Sequence, residues 1–522
     1  MQTRTLIRRG QYHDSVALMR LARELTSRPG ISQASVVMGT EANKALLAQA
    51  DLLAPDARAA GPNDLVIAVR AEDPSVADAA LHAAEESLAR RDAGGSATNA
   101  ARPRSLRTAA RSSPGLNVAF ISVPGQFAAA QAWDALRAGL HVFLFSDHVS
   151  VEDEISLKEY ARSRGLFVMG PGAGTALLSG VGLGFANAVP RGPVGIAAAA
   201  GTGLQEVSTL LAKDGVGVSQ GIGTGGRDVS ERVGGLMMLE AMRALEADPD
   251  TRVLLVVSKM PAPAVVERIV GQATRGQKPV VLALMGCDRA DLLPPPHATA
   301  RTLREAAALA AALARGEEPR LARARLAQED AAVLDQARAL RASLSPSQRW
   351  VRGLYSGGTL CEETMRLWSE ALGSVYSNAP FDPRWQLEDS GRSKQHTAVD
   401  LGEEEFTQGR PHPMIDPELR VQRLLAEARD PEVAALVLDV VIGFGSHADP
   451  AGVFGPAAAE ARKLARAQGR TLHVIASVTG TEQDPQVLSR QSAALRQGGV
   501  IVMPSNAAAA LLAAAIVKER GA

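Results

Sequence analysis

From residue 117 onward, short apolar runs alternate with segments of helical period. Apolar residues in strand-length runs, separated by amphipathic stretches of ten or more residues, predict repeated βα units. Parallel strands need such crossovers, so the alternation predicts parallel sheets covered by helices. Strands are predicted at 118–123, 140–145, 166–169, 194–199, 216–219, 253–257, 279–284, 434–440, 472–478 and 499–503.

The breaks in this pattern divide the 522 residues into modules, since a single core rarely extends beyond roughly 250–300 residues. Before the alternation, three short strands and two helices predict a small α+β unit. A Gly-, Ser- and Arg-rich stretch follows it and has the composition of a flexible linker. The predicted modules are an N-terminal α+β domain (1–90), a linker (91–115), three α/β blocks (116–190, 191–300 and 350–522) and a helical connector (301–349).

Composition narrows the class of protein. Apolar residues make up 46% and charged residues 21%, as in globular proteins. Lys plus Arg and Asp plus Glu number 56 each, so no net field favours nucleic acid. With two widely separated cysteines, Cys287 and Cys361, and no long apolar segment, we expect a reduced, cytoplasmic protein that does not enter the membrane.

The Gly-rich loop after the predicted strand 194–199 is a candidate anion site. It contains Gly201, Thr202 and Gly203 and opens a predicted helix. Backbone N–H groups at a helix N-terminus favour phosphate or carboxylate. The alternative is a capping box in which the Thr202 side chain and Gln205 only cap the helix.

A second Gly-rich loop follows the next strand. Gly223, Thr224, Gly225 and Gly226 allow close backbone approach, and Arg227 offers a bidentate fork for an anion. Because ligands bind at the carboxyl ends of strands in open sheets, the two loops are predicted to share one anion-binding edge. The alternative is again helix capping, here by Asp228.

The last α/β block repeats this layout. Further candidate binding residues follow two of its strands and are Gly443, Gly445, Thr479 and Gly480. Between two prolines upstream, Arg410 and His412 are candidates for holding a substrate carboxylate or polarising a carbonyl. Sequence motifs of metal and serine hydrolases are missing, and no metal ligands are predicted.

Seven segments together resemble the succinyl-CoA synthetase superfamily, and in particular its FdrA-type, acyl-CoA synthetase-like branch. The segments are residues 143–150, 168–175, 182–187, 201–208, 221–228, 409–416 and 439–445. The resemblance implies a multidomain α/β fold. Residues 116–190 would form a Rossmann-like CoA-binding-type domain, and 191–300 and 350–522 would form flavodoxin-like α-type and β-type ligase domains.

The family's phosphohistidine would lie between two helix N-termini, in a Gly-His-Ala-Gly loop after the last strand of the first ligase domain. Here His297 follows three prolines in that region and is the corresponding candidate. Where the family carries an acidic residue after strand 253–257, this chain has Lys259, which is predicted to bind an anion directly.

The resemblance implies an acid–CoA ligase-like enzyme that handles an acyl or carbamoyl phosphate and a small carboxylate. CoA is the implied cofactor, and ATP would arrive through a partner subunit because the chain has no ATP-grasp-like segment. One alternative is a subunit of an oxamate carbamoyltransferase in allantoin catabolism, in which Arg227, Lys259 and the amides of 201–203 clamp phosphate. Another is a non-catalytic scaffold subunit of such a complex.

Overall fold

The computed structural model describes residues 2–11, 15–26, 28–94, 103, 105–287, 292–408 and 410–518. The chain forms two compact units. The first comprises Met1–Arg102 with Thr407–Pro411, and the second comprises Pro103–Phe406 with His412–Ala522. The boundary near residue 102 falls inside the predicted linker.

The N-terminal unit is the predicted α+β unit. Its elements are β1 (Gln2–Arg8), α1 (Ser15–Thr26), β2 (Ile31–Met38), α2 (Glu41–Gln49), α3 (Pro55–Arg58), β3 (Leu65–Ala71) and α4 (Pro74–Gly94). The strands pair antiparallel in the order β1-β3-β2, and the central strand β3 is buried along almost its whole length. Leu18, Leu21 and Leu25 recur on one face of α1 and enter its core, as helical spacing requires.

The second unit begins with a small parallel sheet. Its elements are α5 (Leu106–Ser112), β4 (Val118–Ile121), α6 (Gly125–Arg137), β5 (His141–Leu144), α7 (Val151–Ser163) and β6 (Val168–Met169). The strand order is β4-β5-β6. Helix α5 corrects the prediction of a structureless linker through residue 115, because the Ser105 hydroxyl accepts from the Thr108 N–H and starts a helix there.

A seven-stranded sheet follows, in the order β13-β12-β11-β9-β10-β7-β8. Its elements are β7 (Thr175–Leu178), β8 (Val181–Gly184), β9 (Val194–Ala199), α8 (Gly201–Lys213), β10 (Val218–Gly223), α9 (Leu236–Ala247), β11 (Val253–Ser258), α10 (Pro263–Ala273), β12 (Val280–Leu284) and β13 (Ala298–Thr299). The β7–β8 hairpin pairs with β10. The boundary predicted at residue 190 is therefore wrong, since this hairpin belongs to the second sheet.

The last block is a five-stranded parallel sheet in the order β15-β14-β16-β17-β18. From the connector onward, the elements are α11 (Leu303–Arg315), α12 (Pro319–Arg341), β14 (Trp350–Tyr355), α13 (Gly358–Leu372), β15 (Thr397–Asp400), α14 (Glu404–Thr407), α15 (Glu418–Glu427), β16 (Val433–Val441), α16 (Pro450–Ala467), β17 (His473–Thr479), α17 (Leu488–Gln497), β18 (Ile501–Met503) and α18 (Asn506–Val517). Strands β14 and β15 were not predicted from the sequence.

The two larger sheets share one hydrophobic core, to which α8, α11, α13 and α18 all contribute. The Ala-rich α18 is buried along almost its whole length, and the Trp368 Nε1–H of α13 donates to the Ala510 carbonyl. Small side chains let these helices approach closely, so the two blocks are packed as one body. The multidomain α/β fold with parallel sheets is thus confirmed, although the connector helix α11 is part of the core.

No helix of the described residues is both long and apolar enough to cross a membrane. In the same stretches, no group of three His, Cys, Asp or Glu side chains is arranged to hold a metal ion.

Candidate functional site

The N-termini of α8 and α13 meet at the edges of the two larger sheets. A methyl group added at Gly357, just before α13, would lie 2.5 Å from the Thr202 Cγ2. One added at Gly203 would lie 2.9 Å from the Thr359 Cγ2. Both distances are too short for carbon atoms that are not bonded, so the two N-terminal turns touch and leave no room for side chains at these glycines.

Neither helix is capped by a side chain of the described residues, since Ala200 and Gly357 occupy the cap positions. The capping box predicted for Thr202 is therefore wrong, and the Gln205 amide donates to Asn187 instead. The N-terminal N–H groups and the positive ends of two helix dipoles converge here. This pair of helix N-termini is the candidate anion site, and it contains the predicted residues Gly201, Thr202 and Gly203.

The loop that precedes α13 is held in place by a buried carboxylate. The Asp439 carboxylate accepts from the Ser356 N–H at 2.8 Å and from its hydroxyl at 2.9 Å. Arg420, fully buried, forms a 2.6 Å ion pair with the same carboxylate and donates to the Leu354 carbonyl. The Asp439 carboxylate thus holds the loop through Ser356, and the buried Arg420 guanidinium neutralises its charge.

Lys259, from the end of β11, reaches the start of α13. Its Nζ lies 3.5 Å from a Glu362 oxygen and 3.7 Å from a Glu403 oxygen. A methyl group at Gly358 would be 2.9 Å from this Nζ and 2.6 Å from the Asp400 Oδ2. The predicted cation is therefore at the helix pair, among three carboxylates that the sequence did not reveal.

The charges of this cluster shift one another's pKa values. Burial opposes the charge of Lys259, but the carboxylates of Glu362, Asp400 and Glu403 outweigh burial and raise its pKa. Burial raises the pKa of Asp400 to about 7, against the opposing effect of Lys259. At neutral pH the cluster can thus release or accept a proton next to an incoming anion.

His412 lies at the same edge. Its Nδ1 accepts from the Met414 N–H at 3.2 Å, so the neutral ring carries its hydrogen on Nε2. A methyl group at Gly402 would lie 3.0 Å from this Nε2. Burial, helped by Arg420, lowers the pKa of His412 to about 4, and the ring packs against Phe185 at 5.3 Å. His412 is a neutral hydrogen-bond donor at neutral pH.

His297 is not at this site. It accepts from the Val280 N–H at the first residue of β12, whereas Gly201, Lys259 and Gly358 lie after the last residues of their strands. His297 is therefore on the opposite edge of the sheet, and its assignment as a catalytic residue is wrong. Arg410 belongs to the N-terminal compact unit, where its backbone N–H donates to the Thr407 carbonyl, and its role in binding a substrate stays a prediction.

The second Gly-rich loop serves packing. A methyl group at Gly223 would overlap the Thr175 carbonyl, and one at Gly225 would lie 2.8 Å from the Pro171 carbonyl. The Thr224 N–H donates to the Ala198 carbonyl, and its own carbonyl accepts from Lys158. Only Gly226 approaches the helix pair, since a methyl group there would lie 3.9 Å from the Lys259 Cδ.

Arg227 is held within this packing. It forms a 3.0 Å ion pair with Glu154 and donates to the Val149 carbonyl. Lys158, fully buried, bridges Glu154 and Asp228 at 2.7 and 2.8 Å, and Asp228 caps α9 through the Met238 N–H. Asp228 thus accepts from the start of α9 and does not form the local helix cap that was the alternative interpretation. The prediction that Arg227 clamps phosphate loses its geometric support.

The Gly residues of the last block also serve packing. The Gly443 N–H donates to Gln486, and a methyl group at Gly445 would lie 3.1 Å from the Phe185 ring. The Thr479 hydroxyl donates to the buried Glu206 at 2.6 Å. At Gly480, a methyl group would overlap Ile442. Gly443, Gly445 and Thr479 join the last block to the preceding one, whereas Gly480 packs within the last block. None of these contacts is with the N-terminal turns of α8 and α13.

The residues that sequence reasoning missed are Glu362, Asp400, Gly402 and Glu403. Asp400 ends β15, and a strand followed by Asp-Leu-Gly is a usable signal. Strand β15 was not recognised in the sequence because it has only four residues, and both its first and its last residue are polar.

Comparisons with known proteins show what the chain is similar to. Residues 354–516 match the family model described as CoA-ligase, and residues 1–103 match the one described as AllF, heavy metal-associated domain. The chain is 43% identical over 513 residues to the protein YahF of Escherichia coli K12, and the alignment covers 98% of each protein. The chain belongs to the YahF family.

Two further likenesses of this YahF family member are partial. It is 28% identical over 174 residues to the alpha subunit of the ADP-forming succinate–CoA ligase of Methanothermobacter thermautotrophicus, covering 33% of this chain and 58% of that subunit. A solved structure, dinucleotide forming acetyl-coenzyme A synthetase 1 of Ca. Korarchaeum cryptofilum in its apo form, aligns over 78% of this chain and 83% of its own, with 16% identity and a TM-score of 0.31.

The chain therefore has a CoA-ligase domain of the succinyl-CoA synthetase-like superfamily and an AllF-type N-terminal domain. Membership of the FdrA branch stays a prediction. The family model that matches residues 1–103 is described as heavy metal-associated. This segment contains no cysteine that could supply a thiolate ligand, because the two cysteines of the sequence are Cys287 and Cys361.

CoA, which the family implies, does not fit the first βα turn of the small parallel sheet. A methyl group at Gly125, the first residue of α6, would overlap the Asp147 carbonyl and lie 2.8 Å from the His148 carbonyl. Carbonyl oxygens thus cover the turn where a Rossmann-like domain receives a pyrophosphate. We derive no step through CoA.

Proposed function

We propose that this protein binds an acyl phosphate or carbamoyl phosphate at the helix pair and transfers the acyl or carbamoyl group to a small acceptor. The observation that carries this proposal is the contact between two uncapped helix N-termini at Gly203 and Gly357. Phosphate is the group that such convergent N–H donors bind best. The match of residues 354–516 to the CoA-ligase family supports the same class of activated substrate.

Direct transfer suits this site better than a phosphohistidine route. Lys259 would neutralise the phosphate, and the His412 Nε2–H would hydrogen bond to the carbonyl oxygen as negative charge develops on it. Since His297 lies by the first residue of β12, away from the helix pair, the proposal assigns it no role as a phosphate carrier. The carbamoyl variant of the reaction is kept as a candidate substrate because it needs a phosphate clamp and an oxyanion donor, and no covalent histidine.

Isothermal titration of the full chain with acetyl phosphate, carbamoyl phosphate and inorganic phosphate tests the proposal. Gly357→Ala adds a methyl group where only 2.5 Å is available, so the two N-termini must separate. We expect its phosphate affinity to fall by about 100-fold, which corresponds to about 2.7 kcal/mol.

The matched control is Gly271→Ala, because Gly271 lies within α10 and a methyl group there meets nothing within 4 Å. We expect unchanged affinity for this variant. Far-UV circular dichroism checks that both variants fold. Failure of the wild-type chain to bind any of the three phosphates at millimolar concentration would leave the scaffold interpretation, and so would affinity that survives in folded Gly357→Ala.

A further inference from the structure

A second histidine faces the candidate site from the small parallel sheet. His148 lies in the loop after β5, and its Nδ1 is 2.7 Å from the Asp147 Oδ1. Its backbone is left-handed, with a φ of 55°, which is uncommon for residues other than Gly and is maintained here by tight packing against Gly125. The imidazole is oriented by its hydrogen bond to Asp147, and about half of the side chain (47%) is exposed.

One loop connects this histidine with the candidate site. Residues 402–404 follow β15, and each of the three approaches a different functional group. Gly402 borders the His412 Nε2, the Glu403 carboxylate lies 3.7 Å from the Lys259 Nζ, and the Glu404 carboxylate lies 3.5 Å from the His148 Nε2. Asp147 also acts electrostatically on His412. His148, Lys259 and His412 thus surround the same short loop.

The two histidines have opposite hydrogen-bonding roles. The His148 Nδ1–H donates to the Asp147 carboxylate, which leaves a lone pair on Nε2. In His412 the Nδ1 accepts from the Met414 N–H, which leaves a hydrogen on Nε2. The Asp147 hydrogen bond raises the pKa of His148, and the Asp147 and Glu404 charges add to it, whereas burial lowers that of His412. The His148 Nε2 can thus accept a proton, whereas the His412 Nε2–H is a hydrogen-bond donor.

We propose that His148 is the general base of the acyl transfer and accepts the proton of the acceptor at Nε2. The inference rests on the proposed function. The acceptor X–H attacks the acyl or carbamoyl carbon, the C–X bond forms, and the C–O bond to phosphate breaks. Phosphate leaves with the electron pair of that bond, and the proton of X–H passes to the His148 Nε2. The resulting imidazolium lies between the Asp147 and Glu404 carboxylates, which stabilise its charge.

The test compares binding with turnover in the full chain. Phosphate release from acetyl phosphate and carbamoyl phosphate is measured with ammonia, oxamate and CoA offered as acceptors, from pH 5 to pH 9. We expect His148→Gln to bind both acyl phosphates within twofold of the wild type and to lose about 100-fold in kcat. The wild-type rate should rise with pH as His148 deprotonates, and this acid limb should be absent in His148→Gln.

Asp147→Asn separates a chemical role from a structural one. Removing the carboxylate lowers the pKa of His148, so the acid limb of kcat should move to lower pH while the chain stays folded. Turnover within twofold of the wild type in His148→Gln, with the acid limb retained, overturns the inference and leaves the proposed function intact. A wild-type chain that binds an acyl phosphate but releases no phosphate with any acceptor also contradicts the inference. Absence of binding contradicts the proposed function itself.

Discussion

The Gly-rich loops after β9 and β10 are similar in sequence and lie on neighbouring strands, yet they do different work. Gly201 and Gly203 open a helix whose N–H groups have no side-chain cap. Gly223 and Gly225 instead fit against the carbonyls of Thr175 and Pro171. A glycine allows close approach in both cases, and what decides the function is whether the approaching group is the protein's own backbone or can be a ligand.

The same contrast exists in the last block. Gly357 and Gly358 begin α13 beside α8, whereas Gly443 and Gly445 pack on residues 185–187. The candidate anion site is therefore made of one loop from each block. The loop of Gly443 and Gly445 joins the two blocks, and the loop of Gly223 and Gly225 packs on Thr175 and Pro171. Glu206 and Glu363, each the sixth residue of its helix, meet the same Asn506 and repeat the correspondence inside the core.

The largest expected effect concerns the Gly-rich loop after β10, which packs against other parts of the chain. Lys158→Met leaves the carboxylates of Glu154 and Asp228 buried without their shared cation, and we expect the free energy of unfolding to fall by about 3–5 kcal/mol. Urea denaturation measures the loss. Lys463→Met on the exposed face of α16 is the control and should change stability by less than about 0.5 kcal/mol. Phosphate affinity of the folded Lys158→Met protein should stay at the wild-type value. A loss of affinity alongside the loss of stability would mean that the loop after β10 also takes part in anion binding.

The second prediction concerns the core beneath the helix pair. Burial raises the pKa of Glu363 to about 7, although Asn506 and the Leu303 N–H oppose the shift. The folded state thus binds more protons than the unfolded state between about pH 4.5 and pH 7, so this group makes stability fall as pH rises through that window. In Glu363→Gln, the loss of stability between pH 4.5 and pH 8 should be smaller by about 3 kcal/mol.

Urea midpoints at a series of pH values provide the measurement, and Glu460→Gln on the exposed face of α16 is the control. Equal pH dependence in the wild type and Glu363→Gln would mean that Glu363 is ionised in the folded chain. The correspondence between Glu206 and Glu363 would then rest on their hydrogen bonds to Asn506 alone.

These contrasts define what the sequence could and could not predict. The βα alternation depends on neighbouring residues and was predicted. A helix was also predicted to follow the loop of Gly201, Thr202 and Gly203, but α8 begins at Gly201 and includes these residues. The roles of Gly223 and Gly443 depend on Thr175 and Ala186, which are distant in sequence and whose positions follow from tertiary packing. Lys259 was predicted as an anion ligand, but its carboxylate neighbours lie more than 100 residues away, so the balance of charge around it could not be read from the sequence.

The third prediction concerns Lys259. Lys259→Met removes the cation and leaves Glu362, Asp400 and Glu403 facing the bound phosphate. We expect inorganic phosphate to bind about tenfold more weakly, which corresponds to about 1.4 kcal/mol, as measured by isothermal titration. Lys463→Met serves as the surface control here too. Unchanged affinity in Lys259→Met would show that its charge is fully used by the three carboxylates and that the helix N-termini alone hold the anion.

The smallest effect is expected for Arg227. The sequence predicts that this residue binds an anion, whereas in the structure it pairs with Glu154. Its guanidinium is already engaged by Glu154 and by the Val149 carbonyl, and 44% of the side chain is exposed. Arg227→Ala should therefore change phosphate affinity by less than about twofold and stability by at most about 1 kcal/mol. Titration of Arg227→Ala and of Lys259→Met with inorganic phosphate, under the same conditions, measures the two affinities. A tenfold loss in Arg227→Ala would mean that the guanidinium leaves Glu154 when phosphate binds, and the loop of residues 221–227 would then belong to the anion site after all.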